Sequence, residues 1–250
     1  MSVRKRLALC VGINDYPGSG NDLSGCVNDA EGWAALLDSL DYEVVKLLDE
    51  DATKYVVAAE LRNAMHDLRF GDRFVFTYSG HGSWVRDANA DERDGRDECL
   101  VLHDWQNAGL LTDDDLFAIY QQRRYGVRVT AISDSCHSGT VARFVSPCGA
   151  PRFFPPELLD PVDVQTAPRR RAVGRPDTVL MSGCDDLEYS YDAWIDGAPQ
   201  GAFSHAALAT FAEGQSMQVW HQRIRAFIDT DAYPQHPQLQ ATSWQRYWKL

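Results

Sequence analysis

The stretch FVFTYSGHGSW, residues 74–84, is the starting point for predicting the fold. Its first half alternates large apolar side chains after the charged turn at 71–73, which predicts a buried β-strand. The strand ends at Gly80-His81-Gly82, where the glycines on both sides leave little side chain to cover the imidazole. We therefore expect His81 to be exposed at the end of a rigid strand, with the glycines clearing space for a bound molecule.

Similar apolar strands alternate with helical patterns on both sides of this stretch. Strands are predicted at RLALCVGI, YEVVKLL, VRVTAIS and DTVLMSG, and helices at VNDAEGWAALLDSL, 53–70, TDDDLFAIYQQRRY, GAFSHAALATFAEG and SMQVWHQRIRAFIDT. Thr112 is expected to cap the third helix, whose first turn holds three aspartates. This alternation is typical of an α/β fold with a mostly parallel central sheet flanked by helices.

The composition predicts one soluble domain. The chain has 250 residues, of which 44% are hydrophobic, enough for one large core. It lacks an apolar run long enough for a membrane span or a signal peptide, so we expect a cytoplasmic location without membrane contact. Six cysteines without a CxxC pair exclude a zinc ribbon or a small disulfide scaffold. The net charge of -12 argues against nucleic acid and favours a basic or polypeptide partner.

Two stretches interrupt the alternation. Residues 86–98 are almost wholly charged, and residues 146–176 are rich in proline and contain Arg169, Arg170 and Arg171. Both are predicted to be long loops, and long loops within a compact domain are usually functional or disordered.

A second strand ends as abruptly as the first. VRVTAIS runs into DSCHSG, residues 134–139, so a cysteine follows this strand as a histidine follows the other. The carboxyl ends of parallel strands meet at one edge of a sheet, and the separation of 55 residues (136 minus 81) accommodates one crossover helix. A cysteine beside an imidazole is the usual arrangement for covalent acyl transfer. The amides of Gly82 and Cys136 could then stabilise the oxyanion.

A less specific interpretation exists for each residue. A single histidine or cysteine is more often a structural residue, but two of them at neighbouring strand ends, beside glycines, favour catalysis. His137 is a rival base; because adjacent side chains on an extended segment point to opposite faces, we favour His81.

Five motifs together resemble those of a known family. YSGHG, DSCHSG, LCVGINDYPGSGNDLSGCVNDAEGW, SGCDDLEYSYD and GAFSHAAL are similar, in this order, to motifs of the metacaspases and bacterial caspase-like peptidases. The resemblance implies a caspase-like three-layer sandwich forming a single domain over 1–250. In it, about 1–145 would correspond to the large subunit, 146–176 to a loop and 177–250 to the small subunit.

The resemblance also implies an activity. It implies a cysteine endopeptidase with a dyad of His81 and Cys136 that cleaves polypeptides after Arg or Lys. The family's acidic pocket falls on Asp29 and Asp134, with Cys26 and Ser79 nearby. Two carboxylates in a partly desolvated slot would favour a guanidinium and reject an acidic residue. Asp29 could equally serve the dipole at a helix N-terminus.

Calcium is the weaker implication of the resemblance. The matching positions are Asp97, Asp113 and Asp114, but Arg143 stands at the family's fourth acidic position and could replace the cation's charge. Separately, EF-hand offsets occur in the acidic stretch, but Glu92 stands where that loop requires Gly. We therefore expect no required cofactor. Two alternatives stay open: a non-catalytic caspase-like scaffold and a calcium-binding regulatory module. An activating regulatory protein is a further candidate partner.

Self-processing is expected in the proline-rich loop. Arg169, Arg170 and Arg171 are residues that an acidic pocket would prefer, and the loop is tethered directly beyond Cys136. The alternative is that these arginines only solvate an exposed loop.

Overall fold

The computed structural model describes residues 4–86, 96–137, 149–159, 178–185 and 188–250. Its centre is a six-stranded sheet with the strand order β12-β9-β7-β3-β1-β2. Five strands are parallel, namely β1 (Arg6–Gly12), β2 (Glu43–Leu48), β3 (Arg73–Ser79), β7 (Arg128–Asp134) and β9 (Thr178–Ser182). The edge strand β12 (Gln238–Gln240) is antiparallel to β9. The predicted α/β class with a mostly parallel sheet is confirmed.

Helices cover both faces of this sheet. The helices are α1 (Cys26–Ser39), α2 (Lys54–Asp67), α3 (Trp105–Ala108), α4 (Asp113–Tyr120), α5 (Ala202–Thr210) and α6 (Met217–Phe227). On β1, Leu9 and Val11 join a core with α2 and α4, whereas Ala8 and Cys10 join a core with α1, α5 and α6. A strand buried on both faces needs apolar side chains at nearly every position, which explains the continuous apolar runs.

The register of the sheet sets the position of the strand ends. Ser79 at the end of β3 pairs with Asp134 at the end of β7, and Gly12 at the end of β1 also pairs with Ser79. The three strands therefore end at one level. His81 and Cys136 each follow two residues beyond that level, so the sheet brings them to the same edge.

Two small antiparallel sheets lie beyond this edge. One contains β4 (Gly82–Arg86), β5 (Arg96–Leu100) and β6 (Leu111–Thr112), and the other contains β8 (Gly149–Pro151), β10 (Tyr191–Ile195) and β11 (Ala198–Gly201). A bridge between Gly82 and Phe153 joins them. These short strands were not predicted. The hairpin of β10 and β11 had a local signal, the Asp196-Gly197 turn, whereas β8 pairs with a strand that is remote in sequence. β4 and β5 flank the acidic stretch, and β8 lies within the predicted proline-rich loop.

Local sequence signals explain the start of α4. The Thr112 side chain accepts a hydrogen bond from the Asp115 backbone N–H, and Asp115 accepts one from Thr112 in return. The predicted cap is thus confirmed as a capping box. Across the described residues, we find no helix with both the length and the apolar character that crossing a membrane would require.

Candidate active site

His81 is held from three sides at the end of β3. Its backbone N–H donates to the Tyr16 hydroxyl at 2.7 Å, and its Nε2 lies 2.6 Å from the Asn21 carbonyl oxygen. The rings of Tyr16 and Phe154 pack against the imidazole at centroid distances of 4.5 and 5.7 Å. Only 3% of the residue is exposed, so the expectation of an exposed imidazole is wrong. The flanking glycines do not uncover the ring, because other segments of the chain close over it.

The glycines have a different structural reason. A Cβ on Gly80 would lie 2.6 Å from both the Tyr16 and the Tyr78 hydroxyl oxygens. A Cβ on Gly82 would overlap the backbone carbonyl of Cys136. Glycine is required here because two strand ends and two tyrosines approach the backbone closely. The expectation that the glycines clear space for a ligand is therefore corrected.

The protonation state of His81 follows from these contacts. A carbonyl oxygen only accepts hydrogen bonds, so Nε2 carries the hydrogen and Nδ1 keeps its lone pair. Nδ1 is buried and has no hydrogen-bond partner among the described residues. Burial lowers the pKa of His81 to about 4, against the opposing effect of the Asn21 carbonyl. The ring is therefore neutral at physiological pH, with one free acceptor nitrogen.

Cys136 is fully buried just beyond the end of β7. Its Sγ accepts a hydrogen bond from the Ser190 backbone N–H at 2.6 Å and lies 3.3 Å from the Ser190 carbonyl oxygen. The rival base His137 is directed elsewhere, with its ring nitrogens 3.4 Å from the Ser83 carbonyl and 3.2 Å from the Ser135 hydroxyl. These contacts favour His81 as the partner of Cys136.

Two backbone amides converge on one carbonyl oxygen between His81 and Cys136. The amides of Gly82 and Cys136 donate to the carbonyl oxygen of Arg152 at 3.0 and 3.1 Å. These are the two amides for which the sequence predicts oxyanion binding. The group they hold belongs to the segment that follows Cys136 in the chain.

The side chain of Arg152 lies in an acidic pocket. Its guanidinium is fully buried and forms ion pairs with Asp29 at 2.7 Å, Asp134 at 3.0 Å and Asp192 at 2.9 Å. The structure therefore brings the predicted Asp29 and Asp134 together around one cation. Asp192 was missed by the sequence analysis, although it ends the motif SGCDDLEYSYD.

Backbone and hydroxyl donors fix the three carboxylates. Asp29 accepts from the Gly201 amide at 3.0 Å, Asp134 from the Ser204 amide at 2.9 Å and the Ser190 hydroxyl, and Asp192 from the Ser24 and Gly25 amides at 2.8 and 3.0 Å. Carboxylates held by so many donors are fixed in position. The pocket is therefore preorganised for a cation.

The remaining predicted pocket residues lie close by. Cys26 is buried at the start of α1; burial raises the pKa of its thiol well above the ordinary value, against the opposing charge of Arg152. Ser79 is buried, and its hydroxyl lies 3.5 Å from that of Ser204. The Cys26 thiol thus lies within the electrostatic influence of the pocket charges, whereas Ser79 contacts Ser204.

Charge and burial oppose each other in this pocket. Burial raises the pKa of Asp29 to about 7, with repulsion from Asp134 adding to it and the Arg152 charge opposing it. Burial would lower the pKa of Arg152, but the surrounding charges, led by that of Asp134, hold it well above its ordinary value. Three carboxylates around one guanidinium leave an excess of negative charge.

The candidate calcium residues form a separate group. Asp97 lies on β5, and Asp113 and Asp114 begin α4. Burial, together with the charges of Glu98, Asp97 and Asp114, raises the pKa of Asp113 to about 8, and its Oδ1 is buried with no hydrogen-bond partner among the described residues. Throughout the residues that the structure describes, no three acidic, histidine or cysteine side chains are grouped so that they could hold a metal ion. The assignment of Asp97, Asp113 and Asp114 to calcium stays a prediction.

Several predicted positions lie outside the described residues. They are Arg143 and the residues of the acidic stretch from 87 to 95, together with Arg169, Arg170 and Arg171.

Comparisons with known proteins identify related sequences and structures. Residues 5–144 match the family model described as the metacaspase, peptidase C14 domain. Metacaspase-1 of Meyerozyma guilliermondii is 31% identical, over 95% of this chain and 70% of that protein. Metacaspase-1 of Mycosarcoma maydis is 30% identical, also over 95% of this chain and 70% of the relative.

A solved structure extends the similarity to the whole chain. The crystal structure of protein GSU0716 from Geobacter sulfurreducens superposes with a TM-score of 0.77 at 31% identity, and the match covers 98% of this chain and 97% of that one. The caspase-like fold inferred from the motifs is therefore confirmed. Together with the family match, this shows that the chain belongs to the metacaspase family of cysteine peptidases.

Proposed function

We propose that the protein is an endopeptidase that cleaves polypeptides after Arg or Lys. The observation that carries the proposal is the position of Arg152. Its guanidinium lies among Asp29, Asp134 and Asp192, while its carbonyl oxygen accepts hydrogen bonds from the amides of Gly82 and Cys136. A basic side chain in the pocket thus places its own carbonyl oxygen against the backbone amide of Cys136.

The groups around that carbonyl supply each part of an acyl transfer. Nδ1 of His81 has the lone pair needed to accept the proton of the Cys136 thiol and to return it to the leaving amine. The amides of Gly82 and Cys136 already point to one oxygen, where negative charge would develop. The Ser190 carbonyl, which accepts from the Arg152 N–H at 2.9 Å, would align the substrate backbone.

The pocket favours Arg over Lys. Both Nη atoms of the guanidinium form ion pairs, Nη1 with Asp134 and Nη2 with Asp29 and Asp192. A lysine ammonium is a single point charge and would not span the same three carboxylates. An acidic residue would be repelled by the negative charge of the pocket.

A panel of fluorogenic peptides with Arg, Lys or Asp before the reporter group tests the proposal. Arg should be cleaved fastest, Lys more slowly and Asp not at all. Cys136→Ala and His81→Ala should lose turnover while keeping the circular dichroism of the wild type, and His137→Ala should retain it. Ordinary turnover by a folded Cys136→Ala protein, or preference for Asp, would disprove the assignment.

A further inference from the structure

The side-chain amide of Gln235 joins two segments that border the candidate active site. Gln235 is fully buried a few residues before β12. Its Oε1 accepts a hydrogen bond from the Tyr191 N–H at 3.2 Å, and its Nε2 donates to the Gly183 carbonyl at 3.0 Å. One side chain thus ties the start of β10 to the residue that follows β9. The two partners are 44 and 52 residues away in the sequence.

The segment held in this way carries the backbone that surrounds Cys136. Ser190 directly precedes Tyr191, and its N–H donates to the Cys136 sulfur at 2.6 Å. Its carbonyl oxygen accepts from the Arg152 N–H at 2.9 Å, and its hydroxyl donates to the Asp134 carboxylate. Ser190 therefore contacts the candidate nucleophile, the backbone of the residue in the pocket and the pocket itself.

The other end of the Gln235 contact is fixed to the central sheet. The Gly183 N–H donates to the Ser133 carbonyl of β7 at 2.9 Å. The strand β12, which follows Gln235, pairs with β9 so that Gln238 lies opposite Ser182. Gln235 is thus positioned by the sheet on which the nucleophile strand lies, and it passes that position on to the start of β10.

A neighbouring contact on the same segment is weaker. The His236 N–H donates to the Glu188 carboxylate at 2.6 Å, and the His236 ring lies 2.5 Å from the same carboxylate. This pair is partly exposed, and exposed ion pairs contribute little to stability. Loss of the buried Gln235 amide would instead leave one backbone donor and one backbone acceptor without their partner, which costs more. Gln235 is therefore the stronger anchor of this segment.

We propose that Gln235 is a positioning residue of the peptidase reaction. Its amide fixes the backbone at Tyr191, so that the preceding residue, Ser190, directs its N–H at the Cys136 sulfur and its carbonyl at the substrate backbone. The inference rests on the proposed function, since it takes Cys136 as the nucleophile. A glutamine that only stabilised the fold would change the amount of folded protein but not the reactivity of Cys136 within it.

The Ser190 N–H acts on the reaction through the charge of the sulfur. Cys136 becomes a thiolate when its proton moves to Nδ1 of His81, and a hydrogen bond to an ionised acceptor is stronger than one to a neutral acceptor. The N–H therefore stabilises the attacking form and holds it in place. The carboxylates of Asp29 and Asp192 are held by amides of other segments. Loss of the Gln235 amide should therefore lower kcat much more than it raises KM.

Inactivation of the full chain by an arginyl peptide chloromethyl ketone tests the inference, because it measures attack by Cys136 in the folded protein. Gln235→Met retains a side chain of similar length but lacks both hydrogen bonds. Its limiting rate of inactivation should fall by about 10- to 100-fold, with the half-saturating concentration changed by less than about threefold. The kcat for a fluorogenic Arg peptide should fall in parallel. Mass spectrometry of the labelled chain identifies the modified cysteine.

Two further variants separate positioning from stability. Gln235→Glu keeps, in either protonation state, an oxygen that accepts from the Tyr191 N–H, so its limiting rate should stay within about threefold of the wild type. Gln245→Met is the matched control: Gln245 is also buried, and its Oε1 accepts from the nearby Thr242 N–H at 2.8 Å. It should lower the melting temperature without changing the limiting rate. Circular dichroism establishes that each variant folds.

The outcomes distinguish this inference from the proposed function. A limiting rate in Gln235→Met equal to that of the wild type, or an equal loss in Gln235→Met and Gln235→Glu or Gln245→Met, would overturn the inference and leave the proposed function intact. If Gln235→Met does not fold, Gln235→Asn replaces it, since its shorter amide cannot reach both partners. Failure of every Gln235 variant to fold would make the residue structural and overturn the inference. A wild type inert toward the ketone and toward every Arg and Lys peptide would overturn both.

Discussion

Two groups of buried or half-buried carboxylates in this protein differ in what neutralises them. In the pocket, the guanidinium of Arg152 lies within 2.7 to 3.0 Å of three carboxylates and opposes the rise in the pKa of Asp29. At the start of α4, the charges that act most strongly on Asp113 are those of Glu98, Asp97 and Asp114, and all of them raise its pKa. The first group is built around a cation that the chain supplies. In the second group, the carboxylates repel one another.

The largest expected effect comes from removing one carboxylate of each group in turn. Asp134→Asn should lower kcat/KM for Arg peptides by a factor of about 30 to several thousand, since losing one partner of a buried charged pair costs about 2 to 5 kcal/mol. Asp113→Asn is the matched control and should change it little. Both are measured with the same fluorogenic Arg peptide, beside circular dichroism that shows both variants folded. Equal losses in the two variants would remove the distinction between the groups.

The comparison also bears on how far the sequence predicts this molecule. The strand ends that hold His81 and Cys136 were predictable, because parallel strands buried on both faces show continuous apolar runs and abrupt ends. Arg152 was not predictable. It lies in a proline-rich stretch typical of an exposed loop, and its burial depends on Asp29, Asp134 and Asp192, which only the fold brings together.

The wrong prediction that His81 is exposed has a similar cause. His81 was expected to be exposed because its sequence neighbours are glycines, but Tyr16 and Phe154 cover it from other segments. Sequence neighbours report the local backbone, whereas burial depends on long-range packing. Asp192 could have been found, because it ends a motif already linked to the site.

The decrease of kcat/KM at low pH should show whether the titration of Asp29 or that of His81 controls it. The pKa of Asp29 is about 7 with Arg152 in the pocket, and that of His81 is about 4, burial being the main cause of both shifts. Since the Arg152 charge lowers the pKa of Asp29, that pKa is higher still when the pocket is free to bind a peptide, and a protonated Asp29 no longer attracts a guanidinium. We expect kcat/KM for Arg peptides to fall by up to about tenfold per unit as pH falls below this pKa. Asp29→Asn should be less active but flat between about pH 5 and 7. A neutral acid limb that persists in Asp29→Asn would refute this assignment.

The strain at Asp113 should appear as a pH dependence of stability. The folded-state pKa of about 8 lies above 3.8, the ordinary value of an aspartate, so the folded protein binds a proton that the unfolded chain releases. Stability should therefore fall as pH rises from about 4 to 8, by at most about 1.4 kcal/mol per unit from this group. Asp113→Asn removes this contribution. In urea unfolding at several pH values, the free energy of unfolding of the variant relative to that of the wild type should increase up to about pH 8 and then stay constant. A difference that does not change with pH would contradict the raised pKa of Asp113.

The smallest expected effect is that of calcium. A cation near α4 would relieve the repulsion that raises the pKa of Asp113, so the location is electrostatically suitable. Calcium, however, takes six to eight oxygen ligands, and the described residues offer no group of three side chains placed to hold a metal. Where the resemblance implies a fourth acidic residue, the sequence has Arg143, which would add a positive charge. We therefore expect hydrolysis of an Arg peptide to change by less than about twofold between chelator and added calcium. Activity that vanishes in chelator and returns with calcium, and that Asp113→Asn abolishes, would show instead that the carboxylates of α4 are completed by ligands from elsewhere in the chain.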